Sequence, residues 1–456
     1  MKRALGVLLL VFASMPGFGS QAAVPTSTVL HDVRLIDGYG GTPREHVDVV
    51  IRGEHIDSVT PAATHLKQAA VEVVNLSGKT LMPGLISDHS HLGMTDGTAA
   101  GGVHQTPENI LRQLRQYEAY GITTVTSLGL NQQSFYDLAP KLHTGALPGA
   151  DLFGADRGFG VPDGAPPGAM GILDTQVYRP RTEAEAREEV RETAARHPAL
   201  IKIWVDDFHG RMPAKLSPPM YQAIIDEAHH HGLRVAAHIF YLDDAKRLVA
   251  DGVDVLAHGV RDVPVDAAFI DAVKAHHVWY IPTLGLDEGF YLFAQHPELA
   301  SHPVLAHALQ PALAAQFADP AWRQKILADT SKLATDKSAA AMNLQNVKKL
   351  YDAGVRVGFG TDSGATPLRI AGFAEHHELA LLVRAGLTPL QAIGTATRNA
   401  AALLDLDDRG VVAAGKLADL LVVDGNPARD IADVDKIEAV WHRGRRVAGD
   451  LNSFTP

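Results

Sequence analysis

The chain has 456 residues, a formal net charge of −11 and no cysteine. The absence of cysteine excludes disulfides, a thiol nucleophile and a thiolate metal site, so a bound metal would need histidine, carboxylate or equivalent ligands. The acidic balance, without a basic run, argues against nucleic acid as a partner.

The amino terminus has the three parts of a secretory signal peptide. Residues 1–3 carry positive charge, residues 5–13 are apolar, and Ser20 and Ala22 are small residues at the two positions that a signal peptidase inspects. The apolar stretch is shorter than the roughly 20 residues that span a bilayer. We therefore predict that residues 1–22 are a cleaved signal, and that the mature chain is secreted or periplasmic and not attached to a membrane.

Strand patterns occur at both ends of the mature chain. They cover residues 27–36, 47–51 and 71–75 at the front, and residues 419–423 and 439–446 at the back. Each group is too small to build its own core, so the two are expected to pack together. We predict one small β-sandwich domain, with residues 23–83 and 411–456 as its two parts.

Between these ends, residues 84–410 alternate short apolar runs with longer helical stretches, which is typical of βα units around a parallel sheet. One such helix, residues 219–230, ends before a glycine cap at Gly232. The apolar runs are residues 84–89, 122–128, 150–155, 200–205, 234–239, 254–258, 278–283 and 356–361. Eight βα units predict an α/β fold of the TIM (β/α)8 barrel type.

A long insertion, residues 284–355, separates the seventh and eighth predicted strands. A connection of this length is usually functional or folded in itself. Residues 319–350 have a helical pattern, and residues 290–293 are expected to form a lid over the site. The alternative, a surface elaboration with packing duties only, stays open.

Polar residues stand at the ends of the predicted barrel strands, where TIM barrels carry their reactive groups. They are His89 and His91 after the first strand, Lys202 on the fourth, His238 on the fifth, His258 on the sixth and Asp362 on the eighth. Residues two apart on a strand point to the same side, so the first two histidines can bind one divalent metal.

Each of these residues also has a structural alternative. A histidine in an apolar run can be a hydrogen-bonded core residue, and Lys202 could form a salt bridge with Asp206 or Asp207. Buried charges are costly unless they are paired or bound to metal, and all the alternatives would have to hold together. The sequence therefore predicts a metal site.

Further motifs accompany these residues: Met-Pro-Gly-Leu at 82–85, Gly-Ile-Thr-Thr-Val at 121–125, Ala-Thr-Arg-Asn-Ala-Ala at 396–401 and Gly-Lys-Leu-Ala-Asp-Leu at 415–420. With them, nearly the whole mature chain resembles the amidohydrolase superfamily. The resemblance is specifically to the imidazolonepropionase-like and metal-dependent Xaa-Pro dipeptidase branch.

The resemblance implies two Zn²⁺ ions per chain. His89, His91 and Asp362 would hold one ion, and His238 and His258 the other. Lys202 would bridge them as a carbamate, because its neutral amine can add carbon dioxide. One position departs from the family pattern: many members have Asp where this chain has Ser87, and the neighbouring Asp88 would point to the other side of the strand.

Two metal ions about 3.5 to 4 Å apart lower the pKa of a shared water and give a bridging hydroxide that attacks a carbonyl polarised by one metal. Asp362 would take the proton as general base and return it to the leaving amine as general acid. The expected activity is cleavage of an amide, in an Xaa-Pro dipeptide or another N-acyl amino acid. The expected partner is therefore a small molecule, and a homo-oligomer stays open.

Candidate substrate-binding residues lie just beyond the metal ligands on the same loops. They are His209 and Arg211 after the fourth strand, Tyr241 after the fifth and Arg261 after the sixth. An arginine near the metals can bind a substrate carboxylate through two hydrogen bonds. The alternative for Arg261 is a salt bridge to Asp262 or Asp266.

Other activities compete with amide cleavage. A mononuclear deaminase normally needs Glu three residues after the fifth-strand histidine, where this chain has Tyr241. Lactonase and phosphotriesterase activities stay open, because the same hydroxide attacks those esters. A catalytically inactive barrel acting as a binding protein is the alternative from another class, but such relatives typically lose metal ligands, and all six positions are filled here.

Overall fold

The computed structural model describes residues 27–63 and 71–448. The predicted signal peptide lies outside these residues. The front of the chain forms β1 (Ser27–Leu35), β2 (Arg44–Arg52), β3 (His55–Pro61), β4 (Val71–Asn75) and β5 (Thr80–Pro83). β1 pairs with β2 on one side and with β4 and β5 on the other, so it is the centre of the front sheet.

A TIM barrel follows, and each of the eight predicted runs overlaps one of its strands. They are β6 (Leu85–Ser90), β9 (Ile122–Ser127), β10 (Asp151–Gly154), β11 (Ile201–Trp204), β12 (Val235–His238), β13 (Val255–Ala257), β14 (Trp279–Ile281) and β15 (Arg356–Val357), with the hairpin β7 (Thr95–Asp96) and β8 (Ala99–Ala100) after β6. Nearly all residues of these barrel strands are buried, because helices cover the outer face of the parallel sheet.

Hydrogen bonds close the barrel across two seams. The strands pair in parallel as β6, β9 and β10, and as β11 to β15. The amide of Ala199 donates to the carbonyl of Gly154 at 2.9 Å, which joins β10 to β11. The amide of Asp88 donates to the carbonyl of Phe359 at 2.7 Å, which joins β6 to the segment after β15. The first and last strands are therefore neighbours, and the residues that follow them meet.

Helices connect the strands in the expected alternation. The first six are α1 (Pro107–Ala119), α2 (Gln133–His143), α3 (Glu183–Ala194), α4 (Pro218–His230), α5 (Leu242–Ala250) and α6 (Ala267–Ala275). α4 ends as predicted, because Gly232 follows it with a φ of 70°. Among the described residues, none of the helices combines the length and apolarity needed to cross a membrane.

The insertion between β14 and β15 is helical. It forms α7 (Gly285–Glu288), α8 (Leu292–Gln295), α9 (Pro303–Ala306), α10 (Pro311–Ala318), α11 (Pro320–Ala328) and α12 (Thr330–Asp352). The predicted helical stretch is two helices, which meet at Asp329, whose side chain caps α12 by accepting from the amide of Lys332. Phe293 is buried against Phe317, with ring centroids 4.3 Å apart. Phe290, in contrast, lines a cavity that is described below. Movement of this segment as a lid stays a prediction.

The back of the chain returns to the front sheet. It contains α13 (Phe373–Arg384), α14 (Pro389–Gly394), a π-helical turn (Thr395–Asn399), α15 (Ala400–Leu403), β16 (Leu420–Val423), β17 (Ile437–His442) and β18 (Arg445–Ala448). β16 pairs antiparallel with β5, so both chain ends share one sheet of eight strands. The predicted sandwich of two stacked sheets is thus observed as one hydrogen-bonded sheet.

This sheet has its own core and packs on one end of the barrel. Leu30, Val49 and Trp441 belong to an apolar cluster formed by strands from both chain ends. Gly121 stands just before β9 with a φ of 77°, and a Cβ there would lie 2.8 Å from the Leu421 side chain. The sheet therefore lies against the amino-terminal ends of the barrel strands and leaves the carboxyl-terminal ends free for a site.

Candidate metal centre

The first strand of the barrel brings two imidazoles to one carboxylate. His89 lies on β6 and His91 follows it, and both are buried. Their Nε2 atoms lie 3.3 Å and 3.1 Å from the Oδ1 atom of Asp362. The two histidines and the aspartate therefore converge although they are far apart in sequence.

Asp362 is fixed by its backbone and by a cation. Its φ of 58° lies in the left-handed region, and its amide donates to the carbonyl of His89 at 2.9 Å. Its Oδ2 atom accepts from the guanidinium of Arg369. Burial alone would raise the pKa of this carboxyl, but Arg369, His89 and His91 outweigh it and hold the pKa well below its usual value. Asp362 is therefore ionised, the form that binds a metal.

Two more histidines complete a row of rings. His238 ends β12 and His258 follows β13. The ring centroids of His238 and His258 are 4.4 Å apart, and those of His258 and His89 are 4.5 Å apart. His89, His258 and Asp362 offer ligand atoms that all lie within 4.8 Å of one another. This is the spacing of groups that share a metal ion.

The protonation state of these histidines and their buried ring nitrogen atoms are suited to metal binding. Burial lowers the pKa of His89 to about 3 and that of His258 well below its usual value, so both rings are neutral. The Nδ1 atoms of His89, His91 and His258 are buried, and none has a hydrogen-bond partner in the described part of the chain. Buried polar atoms without partners are costly, and a metal ligand set accounts for this cluster of them.

Lys202 lies beside these rings as a buried amine. Its side chain is 1% exposed, its Nζ atom has no hydrogen-bond partner among residues 27–63 and 71–448, and this atom lies 5.5 Å from the centroid of the Trp204 ring. Burial lowers the pKa of Lys202 to about 7. The salt bridge considered from the sequence does not form, because Asp206 contacts His238 and Asp207 accepts from Tyr241. A neutral amine is available for carboxylation, which stays a prediction.

A cavity of about 450 Å³ opens over the metal-site residues. Of the predicted substrate residues, His209, Arg211 and Arg261 line it. Tyr241 does not line this cavity, because its hydroxyl donates to Asp207 at 2.9 Å. The structure therefore gathers three of the four predicted residues around one space.

Arg261 has a different partner from those considered. Its Nε atom lies 3.3 Å from Oδ2 of Asp287, on α7 of the insertion, and its guanidinium lies over the Phe240 ring. Arg261 therefore pairs with Asp287, and not with Asp262 or Asp266, the two partners that the sequence suggested. This pairing reduces the capacity of Arg261 to bind a substrate carboxylate.

Two residues that hold the site in place were not predicted from the sequence. Arg369 binds Asp362 from seven positions further along the chain. Glu375, on α13, accepts from the hydroxyls of Thr361 at 2.6 Å, Ser363 at 2.8 Å and Ser87 at 3.2 Å. The only signal was the departure at Ser87, whose hydroxyl reaches this carboxylate.

Comparison with known proteins gives the family. Residues 80–447 match the amidohydrolase family. An imidazolonepropionase of Deinococcus radiodurans is 25% identical over 412 residues, which cover 85% of this chain and 88% of that protein. A solved prolidase complexed with N-methylphosphonate-L-proline has a TM-score of 0.71 and 25% identity, covering 93% of this chain and 100% of that one.

Other relatives match over less of their length. An imidazolonepropionase of Deinococcus deserti is 41% identical over 106 residues, which are 22% of this chain and 26% of that protein. An uncharacterized protein of Mycobacterium tuberculosis is 29% identical over 273 residues, which are 58% of this chain and 62% of that protein. This chain therefore spans less than two thirds of these two relatives. The match to the family itself covers most of the sequence, so the predicted resemblance is confirmed, and the chain belongs to the amidohydrolase family.

Proposed function

We propose that the protein is a binuclear zinc-dependent hydrolase that cleaves the amide bond of an Xaa-Pro dipeptide or another N-acyl amino acid. The observation that carries the proposal is the approach of Oδ1 of Asp362 to within 3.3 Å of the imidazoles of His89 and His91 at the floor of a cavity. Family membership and the similarity to a prolidase support the amide as the substrate bond.

The proposed ligands divide into two groups. His89, His91 and Asp362 would hold one ion and His238 and His258 the other, with carboxylated Lys202 between them. When bound, the two ions supply an activated water nucleophile and polarise the amide carbonyl. Several buried nitrogen atoms of these residues, Lys202 Nζ among them, have no hydrogen-bond partner within residues 27–63 and 71–448, which supports this assignment.

Asp362 is the proton carrier in the proposed reaction. It accepts a proton on Oδ1, the oxygen that faces the histidines, and returns it to the nitrogen of the leaving amine. Arg369 holds Oδ2, which fixes the direction in which Oδ1 points. Oδ2 of Asp206 lies 3.1 Å from Nε2 of His238, and this contact orients the ring of His238.

The surroundings keep bulk water from these groups. His89, Lys202 and His258 are each at most 1% exposed, and Asp362 is 6% exposed. In such a site, charges interact more strongly than they do in water. The side chains are therefore held ready before a substrate enters.

We further propose that the mature protein acts outside the cytoplasm, as a secreted or periplasmic enzyme on a small molecule. The charge and length of the segments in residues 1–22 support this location. Fractionation of cells that express the full chain, with sequencing of the mature amino terminus, tests it. Protein retained in the cytoplasm with residues 1–22 attached would contradict it.

The test of function combines metal content with a substrate screen. Mass spectrometry of the zinc-loaded protein is expected to give two metals per chain. Among N-acyl amino acids, Xaa-Pro dipeptides, lactones and phosphotriesters, the amides are expected to be hydrolysed. Asp362→Asn should lower kcat at least about 100-fold. Asp336→Asn, which changes another carboxylate of the cavity, is the control and should lower kcat much less.

Hydrolysis of lactones or phosphotriesters without any amide would contradict the proposal. So would full activity of protein from which a chelator has removed the metal. Loss of activity on chelation and its return with Zn²⁺ would support the assigned ligands.

A further inference from the structure

The wall of the cavity is apolar on the side formed by the loops after β6, β9 and β10. Apart from His91, every residue that these loops contribute to the cavity is apolar: Met94, Leu130, Pro166, Pro167, Met170 and Ile172. We call these six residues the apolar wall. Within the described ranges these loops bring no charged side chain to the cavity, so this side is suited to an uncharged group.

The apolar wall is formed in advance of binding. Met94 and Leu130 are 2% and 5% exposed and pack with Trp204 in a separate apolar cluster, against which Ile172 and Phe208 also pack. Trp204 and Phe208 extend the apolar surface onto the next loop of the barrel. A cavity surface of this kind binds an apolar group without first rearranging its side chains.

The charged residues of the cavity come from the other loops and are mostly paired. The cationic side chains of Arg261, Lys332 and Arg369 have carboxylate partners in Asp287, Asp336 and Asp362. Arg211 also lines the cavity, is exposed, and has no ion-pair partner in the described part of the chain. Its guanidinium is thus the cation of this cavity that is available to a bound carboxylate.

The barrel geometry places these two sides opposite each other. Four residues of the apolar wall follow β10, the third barrel strand, whereas Asp287, Lys332 and Asp336 belong to the insertion after β14, the seventh. Strands four places apart in a closed ring of eight face each other. Arg211 follows β11, the fourth barrel strand, which lies between the third and the seventh in this ring.

We infer that the substrate is an N-acyl amino acid with a large apolar acyl group, which lies against the apolar wall while the amino acid carboxylate faces Arg211. The inference rests on the proposed function. Asp362 delivers its proton to the leaving amine, and its partner Arg369 lies on the charged side, so the amine fragment belongs there. The acyl fragment then points to the opposite side.

Two substrates that differ only in acyl size test the apolar wall. N-(4-phenylbutanoyl)-L-proline is expected to have a kcat/KM at least about 10-fold above that of N-acetyl-L-proline. Ile172→Asn should lower kcat/KM for the larger substrate about 10-fold and leave the acetyl compound within about two-fold. Val103→Asn, at an exposed position of a short 3-10 helix that does not line the cavity, is the matched control and should change neither value.

A carboxylate and its carboxamide test Arg211. Arg211→Gln is expected to lower kcat/KM for N-(4-phenylbutanoyl)-L-proline at least about 10-fold. For N-(4-phenylbutanoyl)-L-prolinamide, the carboxamide of this substrate, Arg211→Gln should leave the kcat/KM for release of 4-phenylbutanoate unchanged. Lys215→Gln removes a positive charge from the same connection, where Lys215 pairs with Asp244 outside the cavity, and should affect neither compound.

Binding to the Asp362→Asn protein separates this inference from the proposed function. Calorimetry is expected to show tighter binding of the phenylbutanoyl compound than of the acetyl compound. Equal binding of the two, or an equal effect of Arg211→Gln on carboxylate and carboxamide, would overturn the inference even if amides are hydrolysed. The expected binding difference, with no amide hydrolysed by the unsubstituted protein, would support the apolar wall as the surface that binds the acyl group and would contradict the proposed chemistry.

Discussion

At the scale of single residues, the carboxylate of Asp362 is held at both oxygens. Oδ1 faces His89 and His91, and Oδ2 accepts from Arg369, whose guanidinium is itself buried and lies over the Phe290 ring. A proton carrier needs one defined position relative to the leaving group. Arg369 is therefore a positioning residue for Asp362.

Substitution of Arg369 tests this role. We expect Arg369→Ala to lower kcat about 100-fold with a small change in KM, because the general acid loses its direction. Arg369→Lys should recover part of kcat. Arg384→Ala is the control. It removes the ion pair between Arg384, a half-exposed residue at the end of α13, and Glu288 of α7. A loss of bound metal in proportion to the loss of kcat would show instead that Arg369 only stabilises the ligand set.

Lys202 provides the second prediction at this scale. Lys202→Met fills similar space with an apolar side chain and removes the group expected to bridge the ions. We expect the metal content to fall from two ions per chain to one or fewer, with kcat/KM at least about 100-fold lower. Metal analysis and steady-state kinetics check both values. A variant that keeps two metals and normal activity would exclude the bridging carbamate.

At the scale of elements, α13 is tied to two barrel segments by one buried carboxylate. Glu375 in its first turn accepts from Thr361 and Ser363 beside Asp362, and from Ser87 beside His89. Its other oxygen accepts from the amide of Gly372 at 2.8 Å. The helix therefore sets the spacing between the first and last strands of the barrel, on which the distances of the metal site depend.

Removal of the Glu375 carboxylate is expected to destabilise the folded protein strongly. Glu375→Ala leaves several buried donors without an acceptor and should lower the free energy of unfolding by about 3–5 kcal/mol. Ser87→Ala removes one of the donors and should cost about 1 kcal/mol. Denaturant unfolding of both variants gives the comparison. Equal losses would mean that Glu375 does not act as a shared acceptor.

The elements and the ligands were predictable for a common reason. The barrel strands are short apolar runs that alternate with helical stretches, and the ligand residues stand at their ends, where strand direction decides which way they face. Arg369 and Glu375 carry no such pattern, because they reach the site through the packing of α13 and the loop before it. Tyr241 follows a strand as the ligands do, but Asp207 draws its hydroxyl out of the cavity.

At the scale of the whole molecule, charged groups join the sheet to the barrel. His442 on β17 lies 2.7 Å from Glu118 on α1, and Arg409 lies 2.7 Å from Asp151 on β10. All four are buried or nearly so. The sequence predicts that the two chain ends form one small domain, and these pairs connect the sheet formed by both ends to the barrel.

The pair formed by His442 makes the stability of the molecule depend on pH. Burial lowers the pKa of His442, but Glu118, Asp419 and Asp151 outweigh it and raise the pKa above its usual value. Because the unfolded value is about 6.5, the stabilisation is fully present below that pH and is lost as pH rises through the higher pKa of the folded state.

We therefore expect His442→Gln, which keeps a hydrogen-bond donor but no charge, to lower the free energy of unfolding by about 1–2 kcal/mol at pH 6 and by less at pH 9. Urea unfolding of the two proteins at both pH values measures the difference. His55→Gln changes an exposed histidine of the same sheet and should show no such pH dependence. A loss that is the same at both pH values would mean that His442 contributes packing and a neutral hydrogen bond, and that the junction between sheet and barrel does not depend on its charge.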